Sequence, residues 1–313
     1  MKRCAVFSCL GLGDGLIALV LSNNLHLNGW QVTTFHPFLE SLQGWFPHLP
    51  IRPFPSVSTL KEFDRFFLIH EKSTWMQEVL AYCQNYFPDS TTVLNPIATA
   101  NRDYPYWEQG RFDGNRSFVE NLYTFCKEVL RFTVTTKSNG IVIPDHVQPK
   151  RFKERVIFHS TSSRSGKNWT AAKYLELATA LRTRGFTPSF ILTEQERHEW
   201  GTADFNAPQF SELSEMAAFI CESGYMIGND SGIGHLASCL GLPTITICRS
   251  EQNARFWRPA WAMGKVITPS KWIPNLKGLR LRDEHWKKWI SVRTVLNAFL
   301  KRELQNFPPQ KNR

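Results

Sequence analysis

Metal-binding spacings are absent from this 313-residue sequence. It has no C-x-x-C, no H-x-H and no H-E-x-x-H, so neither a protein-held zinc ion nor a redox dithiol is expected. The seven cysteines, Cys4, Cys9, Cys83, Cys126, Cys221, Cys239 and Cys248, are scattered and odd in number, a pattern of reduced thiols in a cytoplasmic protein. No stretch approaches the roughly eighteen apolar residues that span a bilayer. Met1-Lys2-Arg3 and the apolar run to Leu10 imitate the start of a secretory signal, but Gly11, Gly13, Asp14 and Gly15 interrupt it before a hydrophobic helix forms. Net charge is close to nil over residues 1–248. Residues 249–313 carry 15 Lys and Arg against 4 Asp and Glu, so the formal +10 is entirely C-terminal. Such a surface attracts anionic partners: nucleic acid, lipid head groups or phosphorylated glycans.

What is present is the composition of a folded chain, 42% hydrophobic and 20% charged, which excludes disorder. Aromatics at 13%, with eleven Trp, suggest broad apolar or ligand-facing surfaces. Short apolar runs alternate with segments of helical period. Arg3–Cys9, Trp30–Phe35, Arg65–Ile69 and Thr91–Asn95 read as strands, with helices at Gly15–Asn28, Pro37–Trp45 and Thr74–Tyr86. The segment from Asn95 to Asn115 reads as loop, and a helix follows over Ser117–Phe132. A polar linker with Pro144 and Pro149 precedes a second alternation, with strands at Arg155–His159, Pro188–Leu192, Tyr225–Gly228 and Thr244–Cys248. Its helices are Ala171–Arg184, Glu212–Cys221 and Gly232–Leu240; basic loop follows, then a final amphipathic helix over Val292–Leu304. The pattern predicts an α/β protein of two parallel-sheet domains, residues 1–148 and 149–313, facing a central cleft.

Three constellations stand where strands turn into helices. Gly11-Leu12-Gly13-Asp14-Gly15 is not the dinucleotide fingerprint, because Leu16 occupies the place of the third glycine. Asp14 either caps the helix or, held ionised beside helix N–H groups, acts as a general base. Gly228-Asn229-Asp230-Ser231-Gly232-Ile233-Gly234-His235 reads either as an ordinary capped helix with a packed histidine or as an anion site. In the second reading Ser231 caps, Gly232 and Gly234 expose N–H groups to a diphosphate, and His235 adds a donor. His159 to Trp169, with Thr161, Ser162 and Lys167, is not a P-loop; its hydroxyls and lysine are either solvated or hold phosphate oxygens.

In this order the three sites resemble glycosyltransferase family 9, the ADP-heptose:lipopolysaccharide heptosyltransferase family. Asp230-Ser231-Gly232-Ile233-Gly234-His235-Leu236-Ala237, running into Gly241-Leu242-Pro243-Thr244, is similar to the family's D-[ST]-G-x-x-H-[LI]-A block and its following G-x-P-T strand. Leu12-Gly13-Asp14 resembles the N-terminal G-D turn, and Lys167-Asn168-Trp169 the K-x-W motif. Where the family often has Pro-Gly-Ala, this chain has Ser160-Thr161-Ser162. The resemblance implies a GT-B fold and an inverting, metal-independent transfer of a sugar, heptose from ADP-heptose, to a lipopolysaccharide core. Asp14 would then deprotonate the acceptor hydroxyl beside Gly13. Thr161, Ser162, Lys167, Ser231, Gly232 and His235 would cradle the diphosphate, Asp230 would orient that loop or meet the donor sugar, and Glu196, in preference to Glu194, would reach the ribose. It also implies no cofactor besides the nucleotide sugar, a monomeric cytoplasmic enzyme, and a basic C-terminal surface docking on anionic glycolipid or the inner membrane.

Two other readings remain. A nucleotide-sugar epimerase or hydrolase would need a second carboxylate beside Asp14, and none is evident from spacing. A non-enzymatic nucleic-acid-binding protein would use the basic tail with Trp257, Trp261, Trp272, Trp286 and Trp289 as stacking surfaces, but no RRM or KH signature accompanies them. The last helix, in the two-domain reading, packs back on the N-terminal domain.

Overall fold

A computed structural model describes residues 2–95, 112–162, 165–200, 204–275 and 280–306. Most of the Asn95–Asn115 segment read as loop lies outside them. The chain divides into two compact units. Unit 1 comprises Met1–Val147 with Glu212–Met216 and Arg255–Trp261; unit 2 comprises Gln148–Ser211, Ala217–Ala254 and Ala262–Arg313. A single cut at 148/149 therefore misses two short segments of the C-terminal half that count with unit 1.

Up to Val147 the chain forms β1 (Arg3–Phe7), α1 (Leu12–Leu27), β2 (Gln31–Phe35), β3 (Ile51–Arg52), β4 (Arg65–Ile69), α2 (Thr74–Tyr86), β5 (Thr91–Leu94) and α3 (Phe118–Thr124). The sheet is parallel, in the order β3-β2-β1-β4-β5. Its strands are buried on both faces, as parallel strands covered by helices must be. Phe7 stacks on Phe35 at 5.0 Å between ring centroids, and Phe66, Leu68, Met76 and Val79 fill the space around them. Helix α1 is buried almost all round, down to Ser22, Asn23 and Asn24. Its outer asparagines account for this: Asn24 donates to the Thr136 carbonyl at 2.8 Å and accepts from the Thr136 N–H at 2.8 Å, and Asn23 donates to the Ser138 carbonyl at 3.0 Å. An extended segment thus covers the helix through its own backbone groups, which satisfies buried polar atoms on both sides. Leu27, the last residue of the helix, is 45% exposed.

The rest of the chain forms β6 (Phe152–His159), α4 (Ala171–Arg182), β7 (Thr187–Phe190), α5 (Glu194–Trp200), α6 (Leu213–Cys221) and β8 (Ser223–Asn229). It continues with α7 (Gly232–Cys239), β9 (Thr244–Ile247), α8 (Glu251–Trp257), β10 (Gly264–Ile267), α9 (Leu281–Glu284), α10 (Trp286–Trp289) and α11 (Val292–Asn306). The second sheet is also parallel, ordered β10-β9-β8-β6-β7. Its core is aromatic: Phe158 stacks on Phe190 at 5.0 Å, Trp169 meets Tyr174 edge-on at 5.1 Å, and Phe299 of α11 packs on Tyr225 at 5.0 Å. The final helix closes the core of unit 2 through Val292, Val295, Ala298 and Phe299. Its amphipathic face packs against α4.

The expected basic loop is also corrected, since it contains β10 and three short helices. Three of its five tryptophans are committed to the fold. Trp257 packs edge-on to Phe118 at 5.2 Å, Trp261 donates its indole N–H to the Lys137 carbonyl at 2.8 Å, and Trp286 is 2% exposed. Much of the aromatic richness is core, while Trp272 and Trp289 remain exposed. All seven cysteines are free thiols. Among the described residues no helix is long and apolar enough to cross a membrane, and no group of three potential metal ligands occurs.

Candidate active site

Open parallel sheets bind ligands where the strand order reverses, outside the carboxyl ends of the two strands that flank the reversal. In unit 1 those strands are β1 and β4; in unit 2 they are β6 and β8. All three constellations read from sequence follow three of these four strands.

The unit 1 turn is built on close approach. Gly11 is the N-cap of α1, and Asp14 lies in the first turn, so it is a first-turn acid and does not cap the helix. Its carboxylate folds against Gly11, where any Cβ would collide with it. Gly13 is buried and Asp14 half-buried. A Cβ at Gly15 would overlap the ring of His36, and this permits His36 to donate from Nε2 to the Gly11 carbonyl at 3.1 Å. The Phe38 N–H occupies Nδ1 at 3.0 Å, which fixes the tautomer. Burial holds His36 down at about 4, so the ring is neutral and locks the turn without adding charge. From the other side of the reversal, Glu71 accepts the Leu10 N–H at 3.1 Å through one carboxylate oxygen; the other is buried and has no hydrogen-bond partner among the described residues. Burial raises the thiol of Cys9, and the negative charges of Asp14 and Glu71 raise it further. A second carboxylate thus shares the surroundings of Asp14, against the expectation of none. The spacing of 57 positions between them hid it in the sequence.

In unit 2 the turn after β8 is held from within. Asn229, fully buried, accepts from the Trp169 N–H and the Tyr174 hydroxyl, each at 3.0 Å, and donates to the Ser160 carbonyl at 2.6 Å. One side chain therefore ties together β8, the loop after β6 and α4. Ser231 stands at the N-cap of α7 but makes no capping bond; its hydroxyl pairs with His159 Nδ1 at 3.0 Å. Loss of hydration keeps His159 down at about 4 and hence neutral. Gly234 and His235 donate to the Ser231 carbonyl at 3.1 and 3.4 Å, while Gly232 and Ile233, at the start of the helix, have no intrahelical acceptor. No acid occupies the first turn, so the positive end of the helix is not offset from within.

Lys167 Nζ lies 3.3 Å from Asp230 Oδ2. Both line a cavity of about 410 Å³ together with Gly166, Ile247, Cys248, Arg249, Ser250, Asn253 and Asp283. Arg249, Ser250, Asn253 and Asp283 were not singled out in the sequence: they follow β9 or sit on α9, in what read as loop. Arg249 reaches Asp283 at 4.0 Å, and Asn275 donates to the same carboxylate at 3.1 Å. The residues carried by the two family-like motifs thus meet. Others are not among its lining residues. His235 is 4% exposed inside the first turn of α7, and Thr161 is 7% exposed. Ser162 donates to Asn168 Oδ1 at 2.6 Å. Glu196 and Thr193 form a reciprocal cap at the start of α5, with bonds of 2.8 and 3.3 Å, which gives Glu196 a local partner.

Two parallel five-stranded sheets, each with its candidate residues at a strand-order reversal, define the GT-B-like class of fold. Residues 136–276 match the family model of glycosyltransferase family 9 (heptosyltransferase). It is 29% identical over 193 residues to lipopolysaccharide heptosyltransferase 1 of Campylobacter coli. That match takes in 55% of each protein, so the chain spans about half the length of the curated relative. Among solved structures it is similar to ADP-heptose lipopolysaccharide heptosyltransferase II of E. coli, with a TM-score of 0.69, 15% identity, and coverage of 98% of this chain and 99% of that one. It is similar in the same degree to a family 9 glycosyltransferase of Veillonella parvula, with a TM-score of 0.69, 17% identity and coverage of 97% and 98%.

Proposed function

We propose that this protein is an inverting glycosyltransferase that moves heptose from ADP-heptose onto a lipopolysaccharide core acceptor, without a metal ion or a resident cofactor. The observation that carries the reading is the unit 2 cavity, where Lys167 and Asp230 meet beside a helix whose first turn has free N–H groups and no acid. Backbone N–H groups and a lysine suit a diphosphate. On arrival of the donor, the phosphate oxygens take over Lys167 from Asp230, and Asp230 turns to the donor sugar. In the chemical step the acceptor oxygen attacks the anomeric carbon, its proton passes to the Asp14 carboxylate, and the bond from that carbon to the phosphate oxygen breaks. The electron pair leaves with the nucleoside diphosphate, whose charge Lys167 and the Gly232 and Ile233 N–H groups neutralise. Such fixed electrostatic stabilisation is usually the largest contribution to catalysis, and in this reading it does the work that a divalent cation does elsewhere. The protein acts as a cytoplasmic monomer that touches an anionic inner-membrane surface through its C-terminal segment.

The test is product analysis. Incubation with ADP-heptose and a heptose-deficient lipopolysaccharide core should give ADP and a core heavier by one heptose, with inverted anomeric configuration and undiminished rate in a chelator. Free or rearranged heptose with no glycosylated core would replace this reading with a hydrolase or epimerase, the reaction in which Glu71 would supply the second carboxylate. Loss of activity in a chelator that is restored by a divalent cation would overturn metal independence.

A further inference from the structure

We infer that residues 270–275 and 280–289 of unit 2 form a docking element that seats on the surface of an anionic lipid bilayer, with Trp272 as its inserted side chain. The inference deepens the membrane contact proposed above and rests on that reading. Trp272 is 94% exposed and Trp289 47% exposed, an uncommon state for the largest apolar side chain in a chain that buries Trp45, Trp169 and Trp286 nearly completely. An indole with an apolar body and one polar N–H is suited to the head-group layer.

These residues belong to one surface. The Arg282 N–H donates to the Pro274 carbonyl at 3.2 Å, and its guanidinium reaches the Lys271 carbonyl at 3.5 Å. The Trp289 indole donates to the Leu281 carbonyl at 3.2 Å. The surface is anchored from below: buried Trp286 donates to the Gly166 carbonyl at 3.2 Å, and Lys173 donates to the carbonyls of Lys287 and Ile290 at 2.6 and 2.8 Å. Its charge is predominantly positive. Arg280, Arg282, Lys287 and Lys288 stand on it with Lys271, which is paired with Glu251, against the exposed Glu284 and against Asp283, the latter matched by Arg249 and Asn275. Cations beside an exposed indole are drawn to anionic head groups, and the indole adds attraction that salt does not screen. Asp283 lines the donor cavity and Trp286 abuts Gly166, another of its lining residues. Seating this surface therefore brings the cavity rim close to the bilayer in which a lipid-borne acceptor resides.

The experiment is co-sedimentation of the full chain with vesicles of phosphatidylcholine alone and with about one third phosphatidylglycerol, at low and high salt. The expected result is binding to the anionic vesicles only. Trp272→Ala and Lys288→Glu should each lower the partition several-fold, and binding of Trp272→Ala should be the more easily removed by salt. Neither residue lines the cavity, so the thermal shift produced by ADP should be the same in both variants as in the parent. That shift reports on the nucleotide site by itself, and a chain that docks without responding to nucleotide would fail the proposed activity while passing this test. Equal binding to neutral vesicles would overturn the inference, as would unchanged partition in both variants, or binding of a single-stranded RNA probe in place of vesicles.

Discussion

The turn after β1 and the turn after β8 are built alike and differ in charge. Each opens a helix at a strand-order reversal, and each rests on a neutral histidine, His36 in one and His159 in the other. In unit 1 the helix carries its own acid, Asp14, in the first turn, and Glu71 stands across the reversal. In unit 2 the first turn is free of acid and Lys167 faces it through Asp230. A carboxylate in the first turn takes up the favourable potential of the helix end, typically by 0.3–1 kcal/mol, and leaves nothing for a phosphate. In the proposed reading, one turn design yields a base in one unit and an anion site in the other, set apart by the presence or absence of a first-turn carboxylate.

The largest expected effect breaks the scaffold of the unit 2 turn. Asn229→Ala strands the Trp169 N–H, the Tyr174 hydroxyl and the Ser160 carbonyl, all buried, and should lower unfolding free energy by at least about 3 kcal/mol in urea denaturation. The shared histidines make both turns acid-sensitive. In the unfolded chain a histidine takes up its proton near pH 6.5, in the folded chain only near 4. Between these values the unfolded state binds more protons, so stability should fall as pH is lowered through this window, by roughly 3 kcal/mol per histidine, and be fully present above it. His159→Asn should flatten that slope by one histidine's share, and an unchanged slope would mean that the ring is already protonated when folded.

The remaining predictions separate the two turns by function. Asp14→Asn should cut turnover by about 10²-fold and leave ADP affinity intact, as loss of a general base does; steady-state rates with calorimetry check both halves. Lys167→Ala should weaken ADP binding about tenfold and lower turnover with it. If the two substitutions give the same pattern, the division of labour between the turns is wrong.

Much of this was legible in the sequence because it is local. The glycine-flanked turns, the parallel strands at Arg65–Ile69 and Thr244–Ile247 and helix α2 depend on nearby apolar spacing, and the structure places them within a residue or so. Strands β3 and β10 escaped notice: the first has only two residues, and the second, Gly264–Ile267, contains Gly and Lys and is half-exposed, so neither carries a periodic signal. The side-chain partners were the least legible. Nothing in its local sequence says that Ser231 turns from its helix to His159, or that Glu71 reaches Leu10. Arg249 and Asp283 were invisible for the same reason, since strand order brings them to the cavity.

The most direct measurement is the shift in thermal unfolding produced by ADP, UDP, GDP and CMP in the parent and in Lys167→Ala. A ligand at about 100 times its Kd adds roughly 2.7 kcal/mol to the native state, readily seen in such a scan. The account predicts a shift that is selective for ADP and reduced in Lys167→Ala; no shift with any nucleotide, or an ADP shift that survives loss of the lysine undiminished, would contradict it.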